Sequence, residues 1–384
     1  MLAAILAPLS TEEFFQDYWT RKFLHIPGPP DKFSHFFPWE VLNRSLEEHR
    51  FDSQRLKLYR AGSKIEPERY LNGQWVDSAK LTNELINGAT LIFNGCEAVY
   101  RPLRDLCIYL EGLFRHRVLA NLYAGFRRDN GFNVHWDDQD NIILQVAGRK
   151  RWKVWNPTRP NPLKNDVIDA TAPPSGEPVW DQILEPGDLL SVPRGWWHVA
   201  YPLDEPCLHL TVTIQNHTGI DFLHWFADRM KYSENARMAL PIRTTLSERQ
   251  AWTEQLRKDM LGAWSDELID AFLMEMDSKA TPHPTLSLPD AVSPGQQRIE
   301  KTTRMELAIP RPLQFSVQDG RTFCHAIGMK WQVDAEVAQR LKSFNDRRPH
   351  SINEISPVSD LRLTAVTGVL LMAGVLRRTR EIPG

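Results

Sequence analysis

Apolar residues follow two spacings along this chain. From Ala89 to Ile214 they form short runs separated by turn-forming residues: Ala89–Phe93 before Asn94-Gly95, Val118–Tyr123, Asn141–Val146 before Gly148, Leu189–Val192 after Pro186-Gly187, and Cys207–Ile214. Short runs rich in β-branched and aromatic residues and closed by Gly or Pro predict β-strands. Segments from about Phe51 to Trp75 predict an outer sheet. On either side the spacing changes to three and four. Leu103, Leu106, Leu110 and Leu113 predict an amphipathic helix over 102–115 that leads into the strands. Near the start, Ser10-Thr11-Glu12-Glu13 is a capping box, and it opens a helix docked by the aromatic pairs Phe14/Tyr18 and Phe15/Trp19. Later, Phe222, Trp225 and Phe226, then Trp252, Leu256, Met260 and Trp264, predict helices over 221–236 and 246–278. A Pro-rich linker follows at 282–294. In the last segment Trp331-x-Val333 leads into a helix with Val337, Leu341 and Phe344, followed by Ile352/Ile355, a helix over 361–371 and Gly374-Val375-Leu376. A strand-rich centre flanked by helical segments is an α+β chain in three parts, 1–215, 216–285 and 295–384.

Composition narrows the class. The 384 residues suffice for two or three domains, and 42% hydrophobic with 24% charged residues is ordinary for a globular protein. A formal net charge of -2 supplies no basic field, so direct nucleic-acid binding is not expected. Four widely spaced cysteines without a C-x-x-C argue against a disulfide framework or a zinc knuckle and fit a reducing cytoplasm. The apolar stretch Leu2–Leu9 is short, lacks a basic leader and runs into Glu12-Glu13, so no signal peptide is expected. No apolar run approaches the ~20 residues needed to span a bilayer, and no membrane partner is expected.

The candidate chemistry lies in two places. In an extended segment residues i and i+2 share a side, so His135 and Asp137 converge while Trp136 points into the wall. Far downstream, the turn Pro186-Gly187, the strand Leu189–Val192 and a second turn Pro193-Arg194-Gly195 aim the next strand, and His198 on it, at a fixed point. His-x-Asp with a distant His is the 2-His-1-carboxylate pattern, which holds non-haem Fe(II) on one face and leaves the other open. A lone His beside two Trp is more often a packed aromatic, and His-x-Asp is common by chance; only the joint pattern carries the metal reading. Lys150 follows the Gly148 turn as one cation on the next strand, with Arg149 and Arg151 facing outward by alternation. Alone, it reads equally as a solvated charge. Residues 156–180 are polar and Pro-rich, which predicts a loop over the sheet serving as lid or substrate wall.

Together, Asn121-Leu122-Tyr123, His135-Trp136-Asp137, the run Leu144 to Trp152, and Pro186-Gly187-Asp188 through His198 resemble the cupin core of the JmjC-type Fe(II)/2-oxoglutarate oxygenases, most of all their ribosomal-oxygenase branch. The resemblance covers residues 121–213 and implies a double-stranded β-helix, the cupin or JmjC jelly roll, with the metal at one open end. It implies Fe(II) ligands at His135, Asp137 and His198, and Lys150 gripping the distal carboxylate of 2-oxoglutarate. Asn121 and Tyr123 would line the co-substrate pocket, and Thr213 would aim its hydroxyl there, although a structural strand threonine is nearly as common. O2 is the second co-substrate. The resemblance also implies a helical dimerisation module over 216–285, hence a homodimer, and a winged-helix-like domain over 295–384; an intramolecular helical bundle fits the same periodicity. Residues 361–372 offer only Arg362 as a basic group, which makes a poor recognition helix and favours a structural or protein-docking role.

On this reading the chain is a cytoplasmic 2-oxoglutarate-dependent dioxygenase that hydroxylates a side chain of a protein or peptide, in the resembled branch a ribosomal protein. Hydroxylation and demethylation both remain open. Two alternatives stand: a hydroxylase of a small metabolite or biosynthetic peptide, and a non-catalytic metal cupin used for binding. The intact triad and Lys150 weigh against the second. Asp138 and Asp140 either attract a cationic substrate residue or are rim carboxylates satisfied by turns.

Overall fold

A computed structural model describes residues 1–167, 173–281, 283–284, 286, 299–356 and 360–379. The chain divides into two units, Met1–Asn216 and His217–Gly384. Most of the expected Pro-rich linker, and the middle of the 156–180 loop, lie outside the described residues.

In the first unit the strands are β1 (Leu24–Ile26), β2 (Leu56–Arg60), β3 (Ser63–Ile65), a small hairpin of β4 (Leu71–Asn72) and β5 (Trp75–Val76), β6 (Thr90–Asn94), β7 (Arg117–Gly125), β8 (Asp140–Ala147), β9 (Lys150–Trp155), β10 (Trp180–Leu184), β11 (Leu189–Val192), β12 (Trp197–Pro202) and β13 (Cys207–Gln215). Eight of them form one antiparallel sheet in the order β1-β11-β8-β13-β7-β6-β2-β3, and three form a second sheet, β10-β9-β12. Ile143, Leu190 and Val192 of the large sheet pack against Trp152 and Leu184 of the small one. Two antiparallel sheets packed face to face are the expected jelly roll.

Alternation along β13 explains where the site lies. Leu208, Leu210, Val212 and Ile214 join a core shared with Leu103, Leu106 and Leu110 of the helix Arg101–Phe114. The intervening His209, Thr211 and Thr213 therefore face the small sheet. A fully buried Leu contributes about 1.5–3 kcal/mol, so register is fixed by the helix side and the polar row is carried inward with it. The helix ends at Arg115 in the left-handed conformation, φ 56°.

Two local expectations change. After a helix over Leu2–Leu6, the helix that starts at Thr11 widens past Glu13 into a π-turn over Phe14–Tyr18, and the Trp19 N–H donates to the Phe14 carbonyl at 2.8 Å. That extra residue per turn replaces the Phe14/Tyr18 contact by Phe14/Trp19, with ring centroids 5.8 Å apart. The strand β10 was not foreseen, because its Trp-Asp-Gln-Ile-Leu sequence is half polar and follows a long polar loop.

In the second unit the helix Gly219–Arg229 starts on a capping box between Thr218 and Asp221. The span 246–278 is not one helix but two, Leu246–Ala263 and Leu268–Lys279, separated at Trp264–Glu267. Trp225, Phe226, Leu268 and Phe272 form their shared core. The later segment has the strands Gln314–Gln318, Arg321–Ala326 and Met329–Val333 as a meander, a pair Met305–Leu307 with Leu376–Arg378, and the helices Ala335–Leu341 and Leu361–Met372. These enclose a second core around Val337, Leu341, Phe344 and Leu370.

Candidate metal centre

The pair His135-x-Asp137 lies in the connection between β7 and β8, not in a regular strand as the i, i+2 argument supposed. Its extended form comes from one bridge: the His135 N–H donates to the His198 carbonyl at 3.1 Å and the His198 N–H to the His135 carbonyl at 2.7 Å. The Pro193-Arg194-Gly195 turn supplies two further pins. The Gly195 N–H donates to the Asp137 carbonyl at 2.9 Å, and the Arg194 N–H to Asp140 Oδ1 at 2.9 Å. Gly195 has φ +83°, a conformation that favours glycine. Trp136 is buried edge-to-face against Trp197, as expected for a side chain pointing away from its neighbours.

His135, Asp137 and His198 each offer a ligand atom, and these atoms lie within 4.8 Å of one another. Asp137 Oδ1 is 4.0 Å from His135 Nε2, and Asp137 Oδ2 is 3.5 Å from His198 Nε2. Both rings are oriented from behind. His135 Nδ1 donates to the Asn133 carbonyl at 2.7 Å and His198 Nδ1 to the Trp196 carbonyl at 3.0 Å. A carbonyl only accepts, so each Nδ1 carries a proton, which leaves each Nε2 as the atom turned to the shared point. Burial and the nearby His135 push the His198 pKa down to about 4, so His198 is neutral near pH 7. Two neutral imidazoles and one carboxylate are the donor set of a divalent first-row metal. The residues fit Fe(II).

The triad opens into a cavity of about 210 Å³ between the two sheets, also lined by Tyr123, Lys150, Trp152 and His209. Lys150 is 3% exposed, and among the described residues no carboxylate pairs with it. Burial pushes its pKa below the usual lysine value, and the nearby Cys207 thiol is the group that opposes this. The Gly148 turn that places it needs glycine: φ is +59°, and a Cβ would sit 2.0 Å from the Pro206 carbonyl oxygen. Arg149 and Arg151 point outward, as alternation requires, to Glu205 and Asp181. A desolvated cation without a protein counterion is a site for a small anion.

Of the remaining sequence candidates, Tyr123 faces the cavity but Asn121 and Thr213 are not among its lining residues. The Asn121 side-chain oxygen Oδ1 accepts the Gly95 N–H at 3.1 Å, drawn to the turn after β6. The Thr213 hydroxyl donates to Asn141 Oδ1 at 2.8 Å. Asp140 is a strut: it accepts from Arg194 N–H and Asn216 Nδ2, and so is satisfied by turns.

Sequence reasoning missed Asn141 and His209. Asn141 Nδ2 donates to Asp137 Oδ2 at 2.6 Å. His209 is 2% exposed, stacks on Tyr123 at 4.9 Å with rings 2° apart, and meets Trp152 edge-to-face at 5.4 Å. The available signal was alternation in Cys207–Ile214, which sets His209, Thr211 and Thr213 in one row. Burial and then Lys150 push the His209 pKa well below its ordinary value.

That shift gives a pH prediction. The unfolded chain takes up a proton at His209 near pH 6.5, the native state only well below, so the unfolded state binds more protons in between. Stability is therefore full above about pH 6.5 and falls as pH drops. In metal-free protein, His209→Gln is expected to lower the slope of unfolding free energy against pH, below the unfolded-state value of about 6.5, by up to one proton's worth, about 1.4 kcal/mol per pH unit. Denaturant titrations across that range measure it, and equal slopes would mean that His209 is not held neutral.

Comparison with known proteins agrees with this geometry. A sequence profile described as "JmjC domain" matches residues 102–222. A Drosophila willistoni protein named "Bifunctional lysine-specific demethylase and histidyl-hydroxylase NO66" is 27% identical over 267 residues, 64% of this chain and 33% of the fly protein. Its Drosophila melanogaster counterpart is 29% identical over 232 residues, 56% of this chain and 33% of that protein. The chain thus spans about a third of the length of these relatives. Among solved structures, Escherichia coli ribosomal oxygenase YcfD aligns with a TM-score of 0.59 and 17% identity over 97% of this chain and 98% of that one. A complex of YcfD with cobalt and 2-oxoglutarate aligns with a TM-score of 0.58 at 17% identity over the same shares. Residues 102–222 therefore match the JmjC domain, and the chain shares its fold with the solved ribosomal oxygenase YcfD.

Proposed function

We propose that this chain is an Fe(II)- and 2-oxoglutarate-dependent oxygenase that hydroxylates a side chain of a protein or peptide substrate. The observation that carries the proposal is the pairing, in one cavity, of three convergent metal donors with the buried, carboxylate-free Lys150. Bound there, Fe(II) supplies the oxidative chemistry: 2-oxoglutarate and O2 are converted to succinate and CO2 while one oxygen atom passes to a substrate C–H bond. The chain's own residues do the rest. His135, Asp137 and His198 hold the ion on one side, and Lys150 neutralises the distal carboxylate of the keto-acid in a charge-assisted bond. Tyr123, Trp152 and His209 wall the pocket with rings and keep water from that pair.

A protein substrate is supported by the relatives, since the fly proteins are named for acting on lysyl and histidyl groups and YcfD is named a ribosomal oxygenase. Mass spectrometry tests it: purified enzyme with Fe(II), 2-oxoglutarate and a ribosomal protein fraction is expected to add one oxygen to a single peptide. Oxygen gain only in a small-molecule extract would move the substrate to a metabolite, and loss of a methyl group would make the reaction a demethylation.

We further propose a homodimer through the helical segment after Asp221, where Leu240, Ile242, Leu246 and Leu261 are all exposed. Exposed apolar side chains grouped on one segment fit a partner surface. Sedimentation is expected to give a dimer at micromolar concentration; a monomer would remove the claim. The later segment is proposed as a winged-helix-like domain that does not read nucleic acid, because Arg362, the basic residue of its last helix, is held by Asp334, Glu336 and Asp360. All four cysteines are free and buried, which suits a reducing cytoplasm. No helix among the described residues is long and apolar enough to cross a membrane.

A further inference from the structure

We infer that Thr213 and Asn141 form a positioning relay for Asp137, one that makes its carboxylate present a single oxygen to the metal. Thr213 and Asn141 are cross-strand partners in β13 and β8, each 5% exposed. The Thr213 hydroxyl donates to Asn141 Oδ1 at 2.8 Å, and Asn141 Nδ2 donates to Asp137 Oδ2 at 2.6 Å. Each polarity in this chain is forced by the next. An ionised carboxylate only accepts, so the amide must turn its NH2 to Asp137. Its carbonyl then faces Thr213, whose single proton is committed to it. Thr213 therefore acts on the site through Asn141 and not as a hydroxyl aimed into the cavity.

The inference rests on the proposed metal and keto-acid reading of the site. A metal held by His135, Asp137 and His198 would keep open positions, which a chelating keto-acid and O2 would share. The Asp137 side chain is 37% exposed, and the hydrogen bond to Asn141 limits its rotation. A carboxylate free to spin can set both oxygens on one ion and take a position the co-substrate needs. Tying Oδ2 to Asn141 restricts that freedom. Because the relay is one chain of bonds anchored in a sheet, breaking it at either link has the same consequence.

The test uses the full-length protein and Co(II) without O2, so that no turnover is needed. Co(II) affinity and the visible Co(II) spectrum are measured for wild type, Thr213→Val, Thr213→Ser, Asn141→Ala and Asn141→Ala/Thr213→Val, followed by 2-oxoglutarate titration of each Co(II)-saturated protein. Loss of an outer hydrogen-bond partner of a metal ligand typically costs about 10- to 100-fold in affinity. Asn141→Ala and Thr213→Val are both expected to lose Co(II) affinity in this range, to change the Co(II) spectrum and to bind 2-oxoglutarate more weakly. Thr213→Ser is expected to keep the wild-type values. The double variant is expected to be no worse than Asn141→Ala, since one link is already broken. Additive losses in the double variant would overturn the relay, as would an unchanged spectrum in Thr213→Val with only a lower melting temperature. A wild-type protein that binds no Co(II) would overturn both the relay and the metal reading beneath it, whereas normal wild-type binding with an unaffected Thr213→Val would sink the relay alone.

Discussion

Lys150→Ala is expected to raise the 2-oxoglutarate requirement steeply while leaving Fe(II) affinity near wild type. Charge-assisted hydrogen bonds are worth about 1.5–3 kcal/mol. Truncating one partner of a buried charge pair costs about 2–5 kcal/mol because the other charge is left unpaired, which is roughly 30- to several-thousand-fold in affinity. Lys150 meets these conditions: it is 3% exposed, on the middle strand of the small sheet, with no carboxylate partner among the described residues. It is not one of the three metal donors, so iron binding has no reason to fall. Lys150→Arg is expected to keep part of the affinity, because the charge survives but the planar fork does not sit where the ammonium sat. Calorimetric titration of 2-oxoglutarate into metal-loaded protein separates the cases. Equal affinity for wild type and Lys150→Ala would move the anion site elsewhere.

Asp137→Ala is expected to abolish metal binding and succinate formation together. Removing an outer partner already costs about 10- to 100-fold, and a ligand is worth more; two neutral imidazoles remain, with ring centroids 4.4 Å apart and no charge to balance the ion. Folding should survive, because the Asp137 side chain is 37% exposed and the bond lost is the charge-assisted one to Asn141, about 1.5–3 kcal/mol before the exposure discounts it. Metal titration and a melting curve on the same sample check this. Full turnover in Asp137→Ala would mean that the triad is not the metal centre.

How far the sequence could be read depended on the kind of signal. The strands around the site were legible because each is a short apolar run closed by Gly or Pro, and β7, β8, β11 and β13 appear close to where those runs lie. The triad was legible as well, although its geometry arises differently: one bridge to His198 and two pins from the 193–195 turn shape the loop, and both are long-range contacts that local spacing does not encode. Long-range bonding also explains Asn121 and Thr213. Each sits on the strand face that alternation assigns, yet Gly95 claims the first and Asn141 the second. His209 escaped notice because one histidine in an apolar strand reads as a packed ring until Lys150 and Tyr123 are seen beside it. The π-turn at Phe14–Tyr18 inserts a residue that no period-of-four pattern reports.

The most direct test of the central claim is oxygen bookkeeping under heavy-isotope O2. Purified protein with Fe(II), 2-oxoglutarate and a ribosomal protein fraction is expected to give succinate carrying one heavy oxygen atom and a peptide carrying the other, in equal amounts, with both products absent in Asp137→Ala. Succinate and peptide free of heavy oxygen, or equal labelling by Asp137→Ala, would contradict the assignment of this site as a 2-oxoglutarate-dependent oxygenase.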